Sequence, residues 1–264
     1  MAIPLLQIDA FTRQPYRGNP AAVCWLTQPL PYAQMQAIAA EMNLSETAFL
    51  LADGSAWQLR WFTPACEVDL CGHATLAAAH ALQEWGQAQP GETLQFQTRS
   101  GLLQAQLGEQ GIALDFPLQQ PQPLSVSLDL AAAIGVPVLD CRTSDLGYWL
   151  LEVESAAQLQ EVQPDLAAIE QWPCQAVVVT AAGMAADGCD FVSRFFAPRF
   201  GLAEDPVTGS AHCLLAPYWQ AKLGSDRLQA RQLSARGGEL EVEVQGDRVI
   251  LRGQAVTVLR GELV

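Results

Sequence analysis

Arg60-Trp61-Phe62-Thr63-Pro64 and Arg194-Phe195-Phe196-Ala197-Pro198 are two versions of one segment, 134 residues apart, and their agreement decides how this 264-residue chain is read. Each runs through a loop to a glycine that opens an alanine-rich helical pattern, Gly72 in one case and Gly209 in the other, now 137 residues apart. The offset of 137 also lays Arg99-Ser100-Gly101 on Arg236-Gly237-Gly238, and Leu103, Ala105 and Leu107 on Leu240, Val242 and Val244. Three added residues account for the change of offset. Ordered matches under one nearly constant shift identify an internal duplication. The repeated unit is a strand ending in proline, a loop, a glycine, a helix, then two strands joined through glycine.

Outward from this repeat, helical and strand-like patterns alternate along the whole chain. Tyr32 to Met42 and Ala74 to Trp85 read as helices; Trp57 to Phe62, Val177 to Ala181 and Val192 to Phe196 read as strands. The class is α/β or α+β. Leu118 to Leu128, rich in Pro, Gln and Ser and poor in periodicity, is the candidate linker. It divides the chain into residues 1–118 and 128–264, with the last strand, about residues 255–264, a candidate to pack back on the first half.

Half of the residues are hydrophobic and 16% are charged, against roughly 25% charged in an average soluble domain, so a packed globule is expected. The net charge of −14 repels phosphate backbones, and no basic cluster overrides it locally, which argues against nucleic acid. The same field repels an acidic metabolite, so an anionic substrate needs local devices such as oriented backbone N–H groups. Seven cysteines, an odd number in mostly apolar context, read as reduced thiols. The first ten residues lack a basic leader pattern, and no window approaches a membrane span, so a cytoplasmic protein without membrane contact is expected.

Three segments hold residues suited to chemistry. In Asp69-Leu70-Cys71-Gly72-His73-Ala74-Thr75, Gly72 permits close backbone approach and His73 can shuttle protons, although a glycine turn with a capping histidine explains both. Cys71 is either an acid/base thiol at a helix end or a small core residue. A zinc set of Cys66, Cys71 and His73 lacks a fourth ligand and matches no standard spacing, so no metal is expected. His80 reads as structural. In Glu204-Asp205-Pro206-Val207-Thr208-Gly209-Ser210-Ala211-His212, Asp205 is a loop carboxylate ahead of a helix start, Ser210 and Thr208 fit capping or ligand contact, and His212 fits packing. In Asn43-Leu44-Ser45-Glu46-Thr47-Ala48-Phe49-Leu50, Asn43 ends the preceding helix and Glu46 opens an otherwise apolar strand. Pointing inward, such a carboxylate has a raised pKa and serves as an acid and a base; pointing outward, it is an edge-strand Glu in water.

Gly18-Asn19-Pro20 reads as a turn before a strand. Dinucleotide, P-loop and nucleophile-elbow patterns are absent, so no cofactor is implied. The duplicated helix starts, with their unpaired N–H groups at Gly72-His73 and Gly209-Ser210, form an anion trap if both face one pocket.

These motifs, together with Asp9-Ala10-Phe11-Thr12 and Gly18-Asn19-Pro20-Ala21-Ala22, fall in order over nearly the whole chain and resemble the PhzF-like phenazine-biosynthesis family. The resemblance implies the diaminopimelate epimerase-like α+β fold, with two pseudo-symmetric domains, each a curled, mostly antiparallel sheet around a central helix, and the active site between them. It also implies a homodimer, no cofactor, and isomerisation of a dihydro-hydroxyanthranilate-like substrate. By the same resemblance the acid/base carboxylate is Glu46, the histidine His73, the loop aspartate Asp205 and the carboxylate-binding serine Ser210, with the amides of Gly72 and Gly209 completing the anion site. Epimerases of this fold use a cysteine at each helix start. Here the first half has Cys71, while the second has Thr208-Gly209-Ser210, which disfavours a two-thiol racemase.

The expected function is therefore a cofactor-independent isomerase that moves a proton within a small unsaturated carboxylate. Its rivals are a racemase or epimerase of amino or hydroxy acids assisted by Cys71, and a non-catalytic protein of the same fold that binds small carboxylates.

Overall fold

The structure, a computed structural model, describes residues 2–183, 186 and 188–264. The chain forms two compact units, Met1–Phe116 with Ile250–Val264, and Pro117–Val249.

The first unit begins with β1 (Ile3–Ala10), β2 (Asn19–Leu26), α1 (Tyr32–Met42), β3 (Glu46–Asp53), β4 (Ala56–Phe62) and β5 (Glu67–Val68). It continues with α2 (Gly72–Glu84), β6 (Thr93–Thr98), β7 (Gly101–Gly108) and β8 (Gly111–Pro117). β2 and β3 are parallel, linked across α1, and β4 and β6 are parallel, linked across α2, while β3–β4, β6–β7 and β7–β8 are antiparallel neighbours. The alternating burial of β7 and β8 marks strands with one face on the core. β2 and β3 are buried along most of their length because α1 covers one face, placing Met35 and Ala39 against Ala22, Cys24, Phe49 and Phe62. α2 is enclosed on nearly every side, touching β1, β2, β3 and β7. Its alanines at 74, 77, 78, 79 and 81 are fully buried, and side chains this small let the sheet curl closely round the helix.

The second unit holds β9 (Gln122–Pro123), α3 (Leu130–Ile134), β10 (Asp140–Thr143), β11 (Tyr148–Glu152), α4 (Ala156–Glu161) and α5 (Leu166–Glu170). β12 (Ala176–Ala182), β13 (Phe191–Ala197), β14 (Leu202–Asp205), α6 (Gly209–Leu223), β15 (Arg227–Gln232) and β16 (Gly238–Gln245) follow. β17 (Arg248–Gly253) leads out of this unit, and β18 (Ala255–Leu263) pairs with β1 of the first. β11 and β12 are parallel, as are β13 and β15; β12–β13 and β15–β16 are antiparallel. The order of pairings is that of the first unit, with α6 in the place of α2.

Pro217 lies inside α6 and has no N–H to offer the carbonyl of Cys213. That carbonyl accepts instead from the amide of Gln119, at 3.0 Å. The segment expected as a bare linker is thereby tied down, and it also contains β9, which pairs with β10.

The duplication carries a shared ion pair. Arg60 forks onto Glu67 at 2.7 and 2.9 Å and lies 5.2 Å from the Phe62 ring. Arg194 forks onto Glu204 at 2.7 and 3.0 Å and lies 5.0 Å from the Phe196 ring. The three added residues fall between the arginine and the carboxylate of the second copy, where the turn Pro198–Phe200 stands. A second adjustment occurs before β7 and β16: Phe96 pairs with Leu103 and Ala230 with Leu240, so the third and fourth strands of the copies differ in hairpin length.

Candidate functional site

In the first unit the polar side chains gather where parallel strands begin. Asn43 ends α1 in the left-handed conformation (φ 50°), its N–H bonded to the Ala39 carbonyl, so the chain turns at once into β3 and Glu46 is its first residue. Asn19 starts the neighbouring strand, β2. Gly18 precedes it with φ +65°, and a Cβ there would stand 2.1 Å from the carbonyl oxygen of Ala10, so only glycine fits. α2 starts at the same place: Cys71 is its N-cap, in extended conformation and without a side-chain cap, and His73 is the second helical residue.

His73 is the centre of this group. Its Nε2 stands 3.1 Å from Oε2 of Glu46. Both atoms are buried, and neither has an aligned hydrogen-bond partner among the described residues, so the contact is electrostatic. Nδ1 of His73 lies 3.2 Å from Nδ2 of Asn19 and 3.5 Å from Sγ of Cys71. Burial works against a charged His73 ring, while Cys71 and Glu46 work for it, and the balance lifts its pKa well above the ordinary histidine value. Burial, with Glu46 nearby, pushes the Cys71 thiol up, which keeps it a neutral S–H.

Donor atoms of Glu46, Cys71 and His73 lie within 4.8 Å of one another. They do not make a chelating set, because the thiol is on the Nδ1 side of the ring and the carboxylate on the Nε2 side. Cys66 is exposed and engaged with Thr63. His80, further along α2, bonds to Thr257 at 3.1 Å.

In the second unit Asp205 ends β14 and is buried, as is Thr208, the N-cap of α6. The Thr208 hydroxyl does not cap the helix; it donates to Oδ2 of Asp205. Gln232, fully buried at the end of β15, fastens the loop: its Oε1 accepts from the Thr208 amide at 3.0 Å, and its Nε2 donates to the Asp205 carbonyl at 2.7 Å. Gly209 is the first residue of α6 and Ser210 the second. Ser210 Oγ is 3.2 Å from the phenol oxygen of Tyr148, which starts β11 and packs edge-on against Phe195. His212 is fully buried, and burial depresses its pKa to about 4.

The structure thus brings Glu46, Gly72 and His73 together in one unit, and Asp205, Gly209 and Ser210 together in the other. Sequence reading passed over Asn19 as a turn residue and did not single out Tyr148 or Gln232. The quoted Gly18-Asn19-Pro20 motif was the available signal for the first. The other two become visible only through strand order.

The chain matches the family model described as PhzC-PhzF, phenazine biosynthesis-like protein, over residues 8–261. It is 48% identical over 264 residues to a protein of Pseudomonas aeruginosa named as an uncharacterized isomerase, covering 100% of this chain and 99% of the relative. Its structure superposes on that of a PhzF-family phenazine biosynthesis protein of Enterococcus faecalis with a TM-score of 0.95 and 41% identity, each chain covered in full. A hydroxyproline epimerase of Agrobacterium vitis shares the fold at a TM-score of 0.66 and 13% identity, covering 99% of this chain and 92% of that one. The chain belongs to the PhzC-PhzF family of phenazine biosynthesis-like proteins, in which bacterial relatives 48% and 47% identical to it are named as uncharacterized isomerases.

Proposed function

We propose that this protein is an isomerase that shifts a proton within a small unsaturated carboxylate, of the dihydro-hydroxyanthranilate kind, without a cofactor. The observation that carries the reading is the Glu46–His73 pair: a carboxylate oxygen and a ring nitrogen, both buried, 3.1 Å apart, with hydrogen-bonding capacity unspent. Glu46 takes a proton from one carbon, the electron pair of the broken C–H bond moves into the conjugated system, and the double bond shifts. The same carboxyl returns the proton to a second carbon, leaving an isomer with no net change in atoms. His73 steadies charge developing on the substrate. Asp205, Ser210 and the amides of Gly72 and Gly209 are assigned to the substrate's polar groups, Ser210 and the amides to its carboxylate.

A Cys71-assisted racemase is the weaker reading. Its thiol is held protonated by burial, and the matching position in the second copy, Thr208, spends its hydroxyl on Asp205. The test is Glu46→Gln assayed for turnover and for exchange of substrate hydrogen with deuterated solvent. Loss of both by several orders of magnitude, with the fold retained, is expected; an unimpaired variant would remove the mechanism.

A further inference from the structure

We infer that Asn19 is a positioning residue that reserves Nδ1 of His73 as an acceptor, so that the neutral ring carries its proton on Nε2 and turns it toward Glu46. The inference rests on the Glu46–His73 reading given above. A side-chain amide nitrogen only donates, and that of Asn19 lies 3.2 Å from Nδ1. The second group at the same nitrogen, the Cys71 sulfur at 3.5 Å, is a thiol that can give its S–H to a bare Nδ1. A proton on Nδ1 would therefore face the Asn19 donor, with the weakly accepting Cys71 sulfur as its one alternative among these groups.

The opposite nitrogen faces the Glu46 carboxylate, which only accepts while ionised. Three elements thus present groups to the ring: Asn19 from β2, Glu46 from β3, and Cys71 from the start of α2. Asn19 is held firmly for this task. It is fully buried, registered against Ala10 of β1, and preceded by the glycine whose place no other residue can take. The Glu46 carboxylate draws a second proton to the ring, and Asn19 opposes its arrival at Nδ1. His73 is left as a directed donor, and Glu46 as the base.

The chain has three histidines, so long-range ¹H–¹⁵N spectra of the histidine-labelled protein can follow each ring, with His80→Asn and His212→Asn as assignment variants. In the wild type, the neutral form of His73 is expected to show a bare Nδ1 and a protonated Nε2. Asn19→Asp puts an acceptor where the donor stood, and is expected to raise the His73 titration midpoint by about 1–3 pH units. A neutral His73 with its proton on Nδ1, or a midpoint unmoved in Asn19→Asp, overturns the inference. Should that variant not fold, the wild-type tautomer decides alone. These spectra need no substrate, so their outcome is independent of the turnover test on Glu46.

Discussion

His212 stands one turn into α6 with Nδ1 2.8 Å from the carbonyl oxygen of Thr208, to which it donates. Burial holds its pKa near 4, whereas an unfolded histidine titrates near 6.5. Between these values the unfolded chain binds more protons, so the contribution is complete above pH 6.5 and is lost as the pH falls toward 4. The loss by pH 4.5 is about 2–3 kcal/mol. Asparagine can keep the donor without titrating. Urea denaturation of wild type and His212→Asn at pH 7.5 and 4.5 should show the variant gaining relative stability at the lower pH; equal differences at both would show that the ring is not buried in neutral form.

The two arginine forks differ in what surrounds them. Arg194 also donates to the carbonyls of Leu159 and Val162, and its side chain is 14% exposed, against 36% for Arg60. Arg194→Met therefore takes a donor from three groups, of which Leu159 keeps the Val162 amide, and is expected to cost about 2–4 kcal/mol, while Arg60→Met, partly relieved by solvent and by Arg99 on Glu67, should cost about 1–2. Denaturant midpoints measure both; a larger loss at Arg60 would contradict this ranking.

Gly18→Ala and Gly246→Ala both place a side chain at positive φ, yet only the first meets a wall. Nothing lies within 4 Å of a Cβ at Gly246, so its cost should be about 1–2 kcal/mol. The Ala10 carbonyl in the way at Gly18 is backbone and cannot rotate aside, so about 3 kcal/mol or more is expected there, with Asn19 displaced. Thermal melts of the pair compare them directly, and equal shifts would argue against the close approach.

Tyr148 touches Ser210 oxygen to oxygen. If Ser210 gives its hydroxyl hydrogen to a substrate carboxylate, Tyr148 must be the donor between them. Tyr148→Phe should then raise KM about 3- to 10-fold with kcat nearly unchanged, as should Ser210→Ala to a greater degree. A fall in kcat at constant KM would place Tyr148 in the chemical step.

The fold was legible to the extent that local chemistry repeats. The RxFxP-like segments and the two glycine-opened helices announced the duplication, and α1, α2, β4, β12 and β13 lie within a few residues of their expected places. Asn43 was readable as a helix stop because the left-handed turn suits its side chain. Three features take their meaning from partners distant in the sequence. The short strand β9 in the proline-rich stretch depends on β10, 17 or more residues away. Gln232 is one polar residue in a strand until Asp205 and Thr208 are folded against it. Asn19 meets His73 across 54 residues, and only the parallel pairing of β2 and β3 at the mouth of α2 makes them neighbours.

β18 pairs with β1 along its whole length, from Ile3 opposite Leu263 to Ala10 opposite Ala255. β1 therefore has β2 on one edge at once, but waits more than two hundred residues for its other edge to be covered. On the ribosome, residues 117–249 are all synthesised before that closure can occur. β1 is made before residues 117–249 yet sealed only after them, and until then it offers an open edge to chaperones or to neighbouring nascent chains.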